Sequence, residues 1–303
     1  MNFTFKKQLH SQIYTLNNSQ IYTLNNSPNK LITFSTCWYI LKSKFPLNTY
    51  KEWIKNLLSI VNQFNLVIYT NVESLSSIYS LIDRTNKKIK IVIKPIEDFY
   101  TYRYKDYWIS NHKLRHIELH KLIDWKLNML WNEKIFFVNE TIKNKYFETS
   151  YYGWCDIGYF RNRPNDLNSH YLQNWPNSTK LLNGLFKTNC IHYACVQNNT
   201  LLFDVLKNDI KKHYTNCLTS NPTSNYLVNC FAGGFFISRK DTLIEYAKIY
   251  DSKLQYYLSN RYFIKDDQSI VLDIITMNPN LFYIHKEDDK YFDNWFMFQR
   301  LLI

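Results

Sequence analysis

Glycine is scarce in this chain. Five occur among 303 residues, and four of them fall in two short clusters, Gly153 with Gly158 and Gly233 with Gly234. Neither G-x-x-x-x-G-K-[ST] nor G-x-G-x-x-G is present, so P-loop and Rossmann dinucleotide chemistry have no support in the sequence. Cysteine is limited to six positions (37, 155, 190, 195, 217 and 230), with no C-x-x-C pair and no zinc-ligand spacing. That pattern fits thiols kept reduced rather than a zinc module. No apolar run reaches the ~20 residues of a membrane-spanning helix. The polar N-terminus also lacks a signal-peptide core, so a soluble protein facing the cytoplasm is expected. Acidic residues are outnumbered, 25 against 37 basic, for a net charge of +12. Such an excess favours anionic partners: nucleic acid, nucleotide phosphates or anionic membrane. No nucleic-acid module is recognisable and the lysines are spread, so a nucleic-acid partner is not expected.

What the chain does have is apolar and aromatic mass, 46% and 17% of residues, enough for a folded core. Residues 1–29 read as a low-complexity leader in which Ser11–Asn18 is copied as Ser19–Asn26. Residues 30–303 read as one domain, with no linker that would split off another. Within it, strand signals at Leu31–Thr36, Leu66–Thr70 and Ile89–Ile93 alternate with helical stripes at Trp53–Val61 and Leu75–Ile82. Strand, helix, strand, helix, strand predicts an α/β fold with a mainly parallel central sheet flanked by helices. A long helical stretch, about Asn111 to Trp131, precedes the apolar run Ile135–Val138. Beyond it lie a strand at Ile191–Val196, a helix from Asp241, a helix over Asp267–Met277 and a last strand at Leu281–His285.

The glycines mark where something must approach the main chain closely. Tyr151-Tyr152-Gly153-Trp154-Cys155-Asp156-Ile157-Gly158 ends an apolar run on one carboxylate, Asp156, beside a turn. A carboxylate at a strand's end suits a metal or a phosphate edge in an open α/β sheet, although a solvated turn residue reads the same way. Asp266-Asp267-Gln268 opens a helix, where one carboxylate could cap while the other faces a cleft as a base or as a holder of a substrate hydroxyl. His285 ends the last strand, as a metal ligand or a surface histidine. His112, His116 and His120 share a helical face, more simply a half-buried face than a metal site.

In that order, T-F-S-T-C-W-Y-I-L-K-S-K (Thr33–Lys44), N-L-V-I-Y-T-N-V-E (Asn65–Glu73), W-N-E-K-I-F-F-V-N-E (Trp131–Glu140), W-C-D-I-G-Y-F-R, A-G-G-F-F and D-D-Q resemble the HtrL/YibB family. That family is associated with lipopolysaccharide-type glycan synthesis and is similar to GT-A glycosyltransferases. The resemblance implies a GT-A-like domain that moves a sugar from a nucleotide-sugar donor to a glycan, glycoprotein or glycolipid acceptor, with Mn²⁺ or Mg²⁺ as cofactor. Asp156 matches the last carboxylate of the D-x-D metal motif, whose first position is here Trp154, and His285 matches the C-terminal histidine that joins the metal. On the donor side the resemblance places Lys42, Lys44, Thr70, Asn71, Trp154, Asp156, Gly158 and Arg161. Gly233, Gly234 and Gln268 fall on the acceptor side, and Asp266 or Asp267 is catalytic. Lysines and arginine near the strand ends would stabilise a departing diphosphate. The competing expectations are a basic nucleic-acid-binding protein, or a structural relative that has lost activity.

Overall fold

The structure, a computed structural model, describes residues 32–114, 118–177, 179–180, 189–197, 199–216, 218, 221–223, 229–288 and 291–303. The duplicated segment, Leu31, His116 and Cys217 lie outside them. Seven strands form one sheet in the order β3-β2-β1-β4-β6-β5-β7. They are β1 (Ile32–Trp38), β2 (Asn65–Thr70), β3 (Ile89–Ile93), β4 (Tyr151–Cys155), β5 (Ile191–Ala194), β6 (Phe235–Arg239) and β7 (Phe282–His285). The pairs β1·β2, β2·β3, β1·β4 and β5·β7 are parallel, and β6 runs against both its neighbours, β4 and β5. The expected mainly parallel α/β sheet is thus observed, with one reversed strand inside it.

Alternate side chains leave each strand in opposite directions. Phe34, Leu66, Ile68 and Cys155 face one core, while Cys37, Val67, Tyr69 and Trp154 face the other. The first core is closed by α1 (Leu47–Ser59), the segment from Ile157 to Trp175, and α9 (Met297–Leu301). The second is closed by α3 (Lys105–Leu114), α5 (Trp125–Lys143), α7 (Lys240–Ser259) and α8 (Asp267–Met277). Cover on both faces explains why the central strands read as near-continuous apolar runs. Other helices are α2 (Val72–Tyr79), α4 (Glu118–Leu122) and α6 (Thr200–Thr215). No helix among the described residues is long and apolar enough to cross a membrane.

The helical stretch expected from Asn111 to Trp131 differs from this. Asp124 is extended and accepts a hydrogen bond from the Leu127 N–H at 3.1 Å, so α5 starts anew at Trp125. The run Ile135–Val138 lies inside α5, packed on the sheet. The helix at Asp267–Met277 and the strand ending at His285 stand where the sequence puts them, and α9 follows as a further element.

Candidate functional site

The parallel strands β1, β2, β3 and β4 end at one edge of the sheet. Because β6 is antiparallel, with Phe235 opposite Cys155, its N-terminal end lies at that same edge. Gly233-Gly234 therefore arrives beside Asp156, and the Asp156 N–H donates to the Gly234 carbonyl at 2.8 Å. A Cβ on Gly234 would come within 3.2 Å of Asp156 Oδ2, and one on Gly233 within 3.1 Å of Asp267 Oδ2. Two glycines are spent here so that two carboxylates can close on one stretch of backbone.

Between the carboxylates sits Lys134, from the middle of α5. Its Nζ donates to the Gly233 carbonyl at 2.8 Å and lies 3.1 Å from Asp267 Oδ2 and 3.5 Å from Asp156 Oδ1. Trp154 Nε1 donates to the same Asp156 oxygen at 2.5 Å. Burial works against the charge on Lys134, but Asp156 and Asp267 outweigh it and hold the ammonium above the ordinary lysine value. Burial pushes Asp267 up to about 6; Lys134 pulls against it, and the charges on Asp266 and Asp156 push with it. A carboxylate in that range is suited to take a proton near neutral pH.

The segment entering α8 is held by amides. Asn111 and Asn128 both donate to the Ile264 carbonyl, at 2.8 and 3.0 Å, and the Ile264 N–H donates to Asn111 Oδ1 at 2.9 Å. Asp266 then takes the N-cap position without a capping bond from its side chain. It faces Lys265 at 3.4 Å, and its Oδ1 is buried with no hydrogen-bond partner among the described residues, as is Gln268 Oε1. Buried acceptors left open are uncommon in folded proteins and ask for an explanation.

These groups line a cleft of ≈ 480 Å³. Arg161 and Lys44 also line it. The Arg161 guanidinium lies 4.2 Å from the Trp53 ring centroid and 5.0 Å from that of Phe296, and its Nε donates to the Gly158 carbonyl at 2.9 Å. Gly158 is what admits Trp53, since a Cβ would meet that ring at 2.7 Å. Lys44, exposed at the mouth, stands 5.1 Å over Trp131. Among the described residues, neither cation is within ion-pair distance of a carboxylate, whereas nearby Arg163 is paired with Asp166 and Asp293 at 2.9 and 2.8 Å.

The cleft thus gathers Lys44, Trp154, Asp156, Gly158, Arg161, Gly233, Gly234, Asp266, Asp267 and Gln268 from the sequence-level set. Lys42, Thr70, Asn71 and His285 are not in its lining. The Thr70 hydroxyl donates to the Trp38 carbonyl at 2.7 Å, and Asn71 caps α2 by accepting from the Ser74 N–H at 3.0 Å. Lys42 points to solvent. His285 lies at the correct sheet edge, but β7 is three strands from β4, roughly 14 Å at ~4.8 Å per strand. There it is buried and bonded to His192 at 3.1 Å, and burial pushes its pKa down to about 4.

Hard cations take several oxygen ligands at once, and an ammonium already lies between the two carboxylates that close on Gly233-Gly234. Among the described residues, no group of three or more His, Cys, Asp or Glu is arranged to hold a metal. A divalent ion bridging Asp156 and Asp267, or Asp156 and His285, does not fit this arrangement. Sequence reasoning missed Lys134. Its signal was a Glu133-Lys134 pair inside an apolar helix, since buried charges have partners. Glu133 points the other way, accepting from the Tyr100 and Thr101 N–H groups at 2.7 and 2.9 Å.

A model of the family described as "Bacterial protein of unknown function (HtrL_YibB)" matches residues 36–300. No curated protein matches the chain. Among solved structures, the chain is similar to mouse xyloside xylosyltransferase 1 in its apo form, at 11% identity and a TM-score of 0.46, covering 84% of each chain. It is similar to the mannosyltransferase Ktr4p from S. cerevisiae at 9% identity and a TM-score of 0.45, covering 86% of this chain and 70% of that one. For the galactosyltransferase LgtC in complex with donor and acceptor sugar analogs the values are 9% and 0.43, covering 87% of this chain and 83% of that one.

Proposed function

We propose that this chain, which belongs to the HtrL_YibB family, is a glycosyltransferase that moves a sugar from a nucleoside-diphosphate donor to a hydroxyl of a glycan, glycoprotein or glycolipid. One observation carries the reading. One cleft brings together cations with no carboxylate at ion-pair distance among the described residues, Lys44 and Arg161, and buried acceptors with no donor among the described residues, Asp266 Oδ1 and Gln268 Oε1. The ligand that satisfies both sets has an anionic end and a hydroxyl-bearing end. A sugar nucleotide has both, and its position at the carboxyl ends of parallel strands is where open α/β sheets bind ligands.

The residues divide the work accordingly. Arg161 and Lys44 take the diphosphate, Arg161 as a fork held flat by Trp53 and Phe296. Asp266 Oδ1 and Gln268 Oε1 accept hydrogen bonds from sugar hydroxyls. Gly233-Gly234 lets the sugar lie against backbone beside Asp156. Asp267, tied at one oxygen to Lys134, takes the acceptor hydroxyl proton at the other as the new C–O bond forms. The bond from the anomeric carbon to the diphosphate breaks, and its electron pair leaves on the phosphate oxygen beside Lys44 and Arg161, which stabilise the developing charge.

The test is a panel of sugar nucleotides scored by thermal shift and by release of nucleoside diphosphate. At least one donor should raise the melting temperature and turn over, and Asp156→Asn should cut that turnover by about 10²-fold or more while the fold persists. A folded protein that neither binds nor turns over any member of the panel would instead be the inactive structural relative.

A further inference from the structure

We infer that Lys134 holds the place of the divalent cation, so that this chain binds its donor's diphosphate without a metal. The inference rests on the glycosyltransferase reading and specifies how its site handles charge. Two carboxylates facing one cleft would repel an incoming diphosphate and each other unless a positive charge stood between them. The usual answer is a hard cation with oxygen ligands. Here the positive charge is covalent. The ammonium donates to the Gly233 carbonyl at 2.8 Å, pairs with Asp267 at 3.1 Å and lies 3.5 Å from Asp156. The ammonium thus gives a hydrogen bond to the Gly233 carbonyl and stands at ion-pair distance from both carboxylates.

The surroundings leave that cation nowhere else to go. The Lys134 side chain is 7% exposed, and α5, on which it sits, is packed along most of its length against the sheet. Trp154 occupies the residue position two before Asp156, and its indole N–H donates to Asp156 Oδ1 at 2.5 Å. That oxygen therefore receives a neutral donor and an ammonium, the partners of a carboxylate fixed in place. The phosphate contacts themselves fall to Arg161 and Lys44 in the same cleft. Lys134 is then a positioning residue: it fixes the two carboxylates at one spacing and cancels part of their charge, the two tasks a bridging metal performs elsewhere.

The experiment compares nucleoside diphosphates (UDP, GDP, CDP and ADP) on the full chain in EDTA and in Mn²⁺, by thermal shift, alongside Mn²⁺ titration followed by electron paramagnetic resonance. The parent protein should show the same shift in both media and should leave the Mn²⁺ signal that of the free ion. Lys134→Ala opens the space between Asp156 and Asp267. It should lose the shift in EDTA, regain it in Mn²⁺, and broaden the Mn²⁺ signal. A purely structural lysine would not convert a metal-independent binder into a metal-dependent one. A parent shift that needs Mn²⁺, or Mn²⁺ immobilised by the parent without nucleotide, overturns the assignment while the glycosyltransferase reading stands. So does Lys134→Ala that keeps the full shift in EDTA. No shift of the parent in either medium overturns both. If Lys134→Ala gives no cooperative melt, the two parent measurements decide the matter alone.

Discussion

Two groups in the cleft handle charge in opposite ways. In one group Lys134 is buried and shared between Asp156, Asp267 and the Gly233 carbonyl, so its charge is spent within the protein. In the other group Arg161 and Lys44 rest on aromatic rings, at 4.2 Å from Trp53 and 5.1 Å from Trp131, with no acidic partner among the described residues. A cation held by π-faces keeps its hydrogen-bond donors free, whereas one held by carboxylates does not. The first group is therefore a structural charge cluster with a chemical edge, and the second a receptor for an anion. Substitutions in the two groups should differ in kind.

The largest effect is expected in the paired group. Lys134→Met keeps the length of the stem but leaves Asp156 and Asp267 facing each other without a counter-charge. Removing one partner of a buried pair costs about 3–5 kcal/mol, and in a chain of this size each kcal/mol moves the melting temperature by ~2–4 °C. A scanning-calorimetry drop of roughly ten degrees is expected, with partial recovery in the double variant carrying Asp267→Asn. A drop of a degree or two would mean that the ammonium is solvated in solution and that the two groups are alike.

In the unpaired group the order reverses. Lys44→Ala removes a charge-assisted contact worth about 1.5–3 kcal/mol, so affinity for the nucleoside diphosphate should fall about 10- to 100-fold by calorimetric titration. The melting temperature of the free protein should stay nearly unchanged, because no folded partner is lost. An equal loss of stability and affinity would erase the distinction between the groups.

How much of this was legible depended on whether a residue's role is local. Asp156, Gly233-Gly234 and Asp267 were visible because a strand end, a cluster of a scarce residue and a helix start are patterns within a few positions. The four leading elements from β1 to α2 were legible for the same reason. Lys134 was not: its partners lie at Gly233, 99 positions away, and at two aspartates on other elements. The Glu133-Lys134 pair inside an apolar run marks a buried charge, but nothing near it says where its partners lie. His285 shows the converse failure. Its place at a strand's end was correct, but its distance from Asp156 follows from strand order, and the reversal of β6 that sets this order leaves no local trace. The buried amides Asn111 and Asn128, which hold the entry to α8, were likewise silent.

The pH response should sharpen the comparison further. Asp267 is raised from 3.8 to about 6 by burial and by the neighbouring Asp266 and Asp156, against Lys134. As the proton acceptor it works deprotonated, so kcat/KM should fall as pH drops through about 6, tenfold per unit below it. Stability moves in the other direction. The folded carboxyl keeps its proton longer than the unfolded one, so this group's contribution declines as pH rises from about 4 to about 6. Lys44→Ala should keep the same midpoint, because the cations of the second group do not touch Asp267. A profile flat from pH 5 to 8 would remove Asp267 from the proton-transfer role.

The smallest effect is expected just outside the cleft, at Asn71. Its side chain accepts from the Ser74 N–H at 3.0 Å, satisfying one of the open donors at the start of α2, and it is absent from the cleft lining. Asn71→Ala should therefore cost about 1 kcal/mol of stability, the usual value of an N-cap, and shift the melting temperature by only ~2–4 °C. Thr70, next to it, ties the end of β2 to the Trp38 carbonyl, so the ends of β1 and β2 stay joined when the cap is lost. Trp38, which does line the cleft, then keeps its place. KM for the donor and kcat should match the parent within about twofold. A donor KM raised tenfold at unchanged kcat would show that the cap reaches the nucleotide after all, and the boundary of the anion-binding group would move outward from Lys44 to the start of α2.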